Sequence, residues 1–239
     1  MKKFRSVCAL KFASVCALIL TPPSSSPAQD GGAAFDRSKI PAEGRAVTDF
    51  VPAGWVLEGQ VAGDLNGDAV PDLALKLIQE KPAGAKEDRI VERQRALVAL
   101  FKGPDGALRR AGVADKVLQC TSCGGAFYGF VEAPAEVKIE RGVIVVSQDF
   151  GSREVTEHTF RFRYEPAAGK FILIGFDSTT RDRLTGVVTQ ESTNFLTGRK
   201  VTTTSTPPKT ARGKDLVKTT AQTVARKRTP MEEVDRDSY

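Results

Sequence analysis

From Phe50 onward the chain reads as short apolar runs broken by Gly, Pro, Asn and Asp. That rhythm predicts an all-β domain. Residues 71–78, "PDLALKLI", alternate Leu73, Leu75 and Leu77 against Asp72, Ala74 and Lys76, a half-buried strand. Residues 95–102, "RALVALFK", are more continuously apolar, which predicts a strand in the middle of a sheet. "GPDG" at 103–106 supplies a tight turn. "AEVKIE" (135–140) and "VIVVSQDF" (143–150) flank Arg141-Gly142, a hairpin turn in which Gly142 takes positive φ. Residues 154–165 put Phe160, Phe162 and Tyr164 on one face and Arg161 and Arg163 on the other. "EPAAGK" turns that strand into 170–178, and 186–198 holds one or two more. The charged stretch 80–96 breaks the rhythm and is either a helical turn or a solvated loop between two strands, with the solvated reading preferred. The expected fold is an antiparallel sheet or sandwich-like β domain over residues 49–198.

The two ends differ in composition. Residues 29–48 are small and polar, a flexible lead-in. Residues 199–239 form a basic, Thr-rich tail with few large apolar residues, expected to be largely disordered, although "VTTTST" has the composition to extend a sheet edge. Its last nine residues, "MEEVDRDSY", are acidic.

Residues 1–28 have the form of a Sec-type signal peptide. Lys2, Lys3 and Arg5 precede an apolar core in which "SVCAL" occurs twice, and Ser26 and Ala28 precede a cut before Gln29. Lys11 and Ser14 interrupt the core, leaving it too short for a membrane anchor. The residues before Cys16 lack the Leu and small last residue of a lipidation site, so cleavage is preferred to lipoprotein processing. The expectation is a periplasmic or secreted protein with no transmembrane segment after cleavage. Cleavage removes four bases and no acid. Thirty-five basic residues become 31 against 29 acidic, so the formal charge falls from +6 to +2. A near-neutral exported protein is a poor nucleic-acid binder.

Cleavage also leaves two cysteines, Cys120 and Cys123 in "QCTSCGG". In an oxidising compartment this pair is read as a structural disulfide. A zinc site lacks ligands, with His158 the one His in the chain, and a redox pair is expected in a βαβ setting.

The sharpest local signal is "GDLNGDAVPDLAL", residues 63–75. Ca²⁺ takes six to eight hard oxygen ligands. Asp64, Asn66 and Asp68 offer oxygens at alternate positions, from which side chains converge as the backbone curls. The Val70 carbonyl and Asp72 complete the candidate set. The spacing is similar to the start of an EF-hand loop, but position twelve is Leu75 and a strand pattern follows. Ala69 stands where Gly makes the sharp bend. If that bend needs positive φ, Ala costs about 1 kcal/mol. Binding is therefore expected to be weak and structural.

"GDLNGDAVPDLALKL" followed by "RALVALFKGPDGAL" resembles an FG-GAP or VCBS-type repeat over residues 60–110. The resemblance implies a blade-like β unit with structural calcium held by Asp64, Asn66, Asp68, the Val70 carbonyl and Asp72. The loop occurs once, so a complete propeller is not expected.

No nucleophile elbow, P-loop or dinucleotide fingerprint is present in the sequence. Strand alternation puts His158 beside Phe160 and Phe162 as a half-buried sheet residue. Asp149, Asp177 and Asp182 sit near strand ends, where acids form turns. The expected function is a non-enzymatic, calcium-stabilised module that binds a protein or polysaccharide partner in the envelope. The alternative is a secreted hydrolase with a carboxylate-based site, and the two differ by an exposed aromatic patch against convergent acids in a cleft.

Overall fold

The computed structural model describes residues 34–86, 89–210 and 212–239. The segment read as a signal peptide lies outside the described residues. Two antiparallel sheets form, and neither closes on itself. The first holds β1 (Glu43–Gly44), β2 (Trp55–Gly63), β3 (Asp72–Gln79), β4 (Arg95–Lys102) and β5 (Leu108–Ala114), in the order β1-β5-β4-β3-β2. The second holds β6 (Glu136–Glu140), β7 (Val143–Gly151), β8 (Glu154–Glu165), β9 (Lys170–Asp182), β10 (Val188–Asn194), β11 (Arg199–Thr206) and β12 (Leu216–Thr223) as a consecutive meander. The all-β, antiparallel expectation stands, and no α-helix occurs among the described residues.

Strand β4 is the middle strand of its sheet, and its continuous apolar run has a physical cause: both faces are covered. Leu97 and Ala99 face the second sheet and join Ile144, Val146, Phe160, Phe162, Phe171 and Leu173 in one apolar layer. Ala96, Val98 and Leu100 face the opposite way and pack with Leu75, Leu77, Ile40, Phe50 and Trp55. The second layer exists because residues 34–55 lie over the sheet. Ile40 and Phe50 are buried, Phe35 meets Trp55 edge-on at 4.7 Å, and β1 pairs with β5. The segment read as a flexible lead-in is thus part of the core where it is described. A few large apolar side chains at wide spacing anchor it, and average composition hides them.

The tail differs from its expectation in the same way. Residues 199–206 and 216–223 form the β11–β12 hairpin, as β-branched Thr and Val favour. Farther on, the Leu173 N–H donates to the Thr229 carbonyl and Pro230 bridges Ile172. Met231 and Val234 then enter the main core. Tyr239 packs on Phe160 and Phe176, with ring centroids 5.5 and 5.0 Å away. The unit that folds together therefore runs past both ends of the 49–198 domain.

Turn chemistry follows the residues. Arg141 (φ 51°) and Gly142 (φ 76°) both adopt positive φ between β6 and β7, the geometry of a type I′ hairpin turn. Between β3 and β4 the described residues of the charged stretch, up to Gln94, form a loop. Residues 186–198 give one strand, β10, and the turn after it.

Candidate functional site

Three places carry the chemistry that the sequence proposes or passes over. The first is the acidic loop between β2 and β3. Asp64 accepts N–H bonds from Gly67 at 2.7 Å and Ala69 at 3.0 Å. Asn66 accepts from Asp68, and Asp68 from Val70. These bonds curl the loop back on itself and require left-handed backbone at Gly67 (φ 87°) and Ala69 (φ 66°). Ala69 therefore sits in the strained conformation considered from the sequence. Asp72 is fully buried, unlike the other acids of the loop, and both its oxygens are occupied. One accepts from the Leu65 N–H and the other from the Lys102 N–H, each at 2.9 Å. It ties the start of the loop to the end of β4. Burial pushes its carboxyl above the usual carboxylate range, against the pull of those two N–H groups, and the charges of Asp68 and Asp64 push the same way. The oxygens of Asp64, Asn66 and Asp68 are polarised by N–H donors yet keep lone pairs toward solvent. A cation there would meet Asp72 only in competition with two backbone amides. Among the described residues no three His, Cys, Asp or Glu side chains form a group that would hold a metal.

The second place is the loop from Gln119 to Pro134, where Cys120 and Cys123 are disulfide-bonded. Two arginines hold this loop. Arg95, buried at the start of β4, pairs with Glu58 on the bulge of β2 and donates to the carbonyls of Gln119 (3.0 Å) and Ala133 (2.9 Å). Arg93 clamps Glu132 with both carboxylate oxygens within 3.0 Å. Beside the disulfide lies a cavity of about 250 Å³, lined among others by Cys123, Phe150, His158 and Arg236. His158 is buried, with Phe150 and Phe176 edge-on at 5.0 and 4.9 Å. Burial holds its pKa below the ordinary imidazole value, and the charge of Arg236 acts in the same direction. The expectation of a sheet histidine among aromatics matches this placement.

The third place is absent from the sequence reading. Beyond the disulfide, "GGAFYGFV" (124–131) projects as an aromatic loop, and its flanking glycines permit the turns. Gly125 has φ 67°, and a Cβ there would lie 2.7 Å from the Gly151 carbonyl oxygen, so the loop sits against the β7–β8 turn only because the residue is glycine. The Tyr128 hydroxyl donates to Asp149 and anchors the loop on β7. Burial and that carboxylate push the Tyr128 phenol up to about 12. Around this anchor the apolar side chains face outward. Phe130 is 93% exposed, Leu184 75%, Val131 65% and Phe127 40%. The Arg183 guanidinium lies 5.5 Å from the Phe127 ring centroid, which brings the β9–β10 turn, with Leu184, beside the loop. The signal in the sequence was an aromatic run between glycines with neither strand nor helix period.

The acids considered for hydrolysis are engaged separately. Asp149 holds Tyr128, Asp177 pairs with Arg161 at 2.6 Å, and Asp182 pairs with Arg153 at 2.6 Å. Among the described residues no helix is long and apolar enough to cross a membrane. No family model matches this chain, and neither a curated protein nor a solved structure matches it.

Proposed function

We propose that this chain is an exported, non-enzymatic β module that docks a protein partner of the envelope through the aromatic loop 124–131 and the neighbouring turn 183–186. The observation that carries the reading is the outward placement of Phe130, Val131 and Leu184 on a loop that is otherwise firmly held. Scattered exposed apolar residues are ordinary, whereas several on one ordered loop, beside a turn that reaches it through Arg183 and Phe127, mark an interaction surface. Anchoring by Tyr128, Gly125 and the disulfide means that little chain entropy is lost on docking. Phe, Val and Leu offer apolar area without polar tips, which suits an apolar cleft on a protein better than a sugar face. Export is part of the proposal and rests on the pattern of residues 1–28. Calcium at Asp64, Asn66, Asp68 and the Val70 carbonyl, with Asp72 beneath, also belongs to it. Its support is the mutual repulsion of three carboxylates, which a cation would relieve.

The test is a double variant, Phe130→Ser with Leu184→Ser. Both side chains are solvated, so the melting temperature should stay within a degree or two. Retention of envelope proteins on the immobilised chain should fall about tenfold, since burying two large apolar side chains contributes ~3 kcal/mol or more and docking recovers only part of it. Unchanged retention would remove the loop from the function. Retention of polysaccharide alone, lost in the variant, would favour the glycan reading.

A further inference from the structure

The disulfide is asymmetric in its surroundings. Cys120 is fully buried, and its sulfur lies 3.4 Å from the Ser122 hydroxyl. Cys123 is half-buried and lines the cavity. The Arg236 guanidinium donates to the Cys123 sulfur at 3.0 Å. That arginine is held in place, since its backbone N–H donates to the Lys116 carbonyl and its side chain pairs at 3.2 Å with the largely exposed Asp237. The charged and titratable groups at the cavity are Arg236, Asp237, His158, which burial keeps neutral, and Tyr239, whose phenol burial pushes up. A disulfide that only staples a loop needs neither an open sulfur nor a cation on it. A cation beside one sulfur stabilises that sulfur as thiolate once the bond is broken.

We propose that Cys120–Cys123 is a thiol–disulfide exchange site for a dithiol on another protein, with Cys123 as the exchanging sulfur. This site uses none of the exposed residues of the aromatic docking surface, although the same disulfide is one of the anchors of that loop. In the reductive half, one thiolate of the partner dithiol attacks Cys123 through the cavity. The S–S bond breaks, its electron pair leaves on the buried Cys120, and Cys120 takes a proton relayed from solvent by the exposed Ser122 hydroxyl, 3.4 Å from its sulfur. The second thiolate of the partner then attacks the partner's own sulfur in the mixed disulfide. Cys123 departs as a thiolate against Arg236. The partner dithiol has lost two electrons and two protons and become a disulfide, and this chain has gained the two electrons. Arg236 favours the reduced form of this chain, which biases the exchange toward oxidation of the partner.

The experiment uses the full mature chain and dithiothreitol as the probe dithiol. The disulfide should open while circular dichroism remains that of the folded protein. At pH 7 iodoacetamide should then alkylate Cys123 about tenfold faster than Cys120, and Arg236→Gln should slow Cys123 about tenfold while Arg236→Lys restores it. As a second measure that does not depend on Arg236 variants folding, Cys120→Ser should react with a small aromatic disulfide at least tenfold faster than Cys123→Ser. Reduction only in denaturant, equal rates at the two cysteines, or reactivity indifferent to Arg236 would each overturn the proposal.

Discussion

Asp72 and Ala69 sit three residues apart in one loop, and the sequence says different things about them. The motif identifies Asp72 as a ligand by its spacing. The fold uses it first as a buried acceptor for two backbone N–H groups, Leu65 from the same loop and Lys102 from the end of β4. That role is invisible in the motif, because the Lys102 donor arrives only when β4 pairs beside β3. Asp72→Ala should cost ~3 kcal/mol, leaving a buried donor, Leu65, and a part-buried one, Lys102, unpaired at about 1–3 kcal/mol each, and chemical denaturation would measure it. A loss below about 1 kcal/mol would mean that water replaces the carboxylate. Ala69 was legible. The motif wants Gly there, and the backbone shows why, with φ at 66°. Ala69→Gly should raise stability by about 1 kcal/mol, read as an increase in the denaturant midpoint at unchanged slope.

Among the elements, the strands with clear alternation or a continuous apolar run were readable from sequence, and β4 and β8 fall on their expected residues. The segments that escaped are those whose burial depends on a few widely spaced side chains. Phe35, Ile40 and Phe50 pin the segment before β2, while Met231 and Val234 pin the segment after β12. Local composition averages such anchors away, and only the tertiary fold shows what they meet. The aromatic loop escaped for the opposite reason, since its apolar residues do not face the core. Met231 is fully buried in the same core cluster as Phe171, with its terminal methyl 2.9 Å from where a Cβ on Gly112 would stand. Met231→Ala should therefore cost about 2–4 kcal/mol despite lying in a polar, charged stretch. A loss of a few tenths, measured by thermal or urea unfolding, would show that the C-terminal segment is not part of the cooperative unit.

At the scale of the molecule, β2 to β5 form a four-stranded antiparallel unit with the acidic loop at the turn between β2 and β3. If calcium sits there, its effect is on global stability. At a concentration ten times the dissociation constant it would add ~1.4 kcal/mol, so a chelator should lower the melting temperature by a few degrees. Asp68→Ala should abolish that difference, and identical melting curves with calcium and with chelator would end the calcium reading. One consequence of the architecture concerns time. The larger core is closed by Met231, Val234 and Tyr239 against strands laid down between residues 97 and 176. A chain synthesised from its N-terminus therefore carries Phe160, Phe162 and Phe176 incompletely covered until residue 239 has emerged. Such distant closure slows folding, so a chain halted some ten residues early should be recognisable to chaperones and proteases as unfinished.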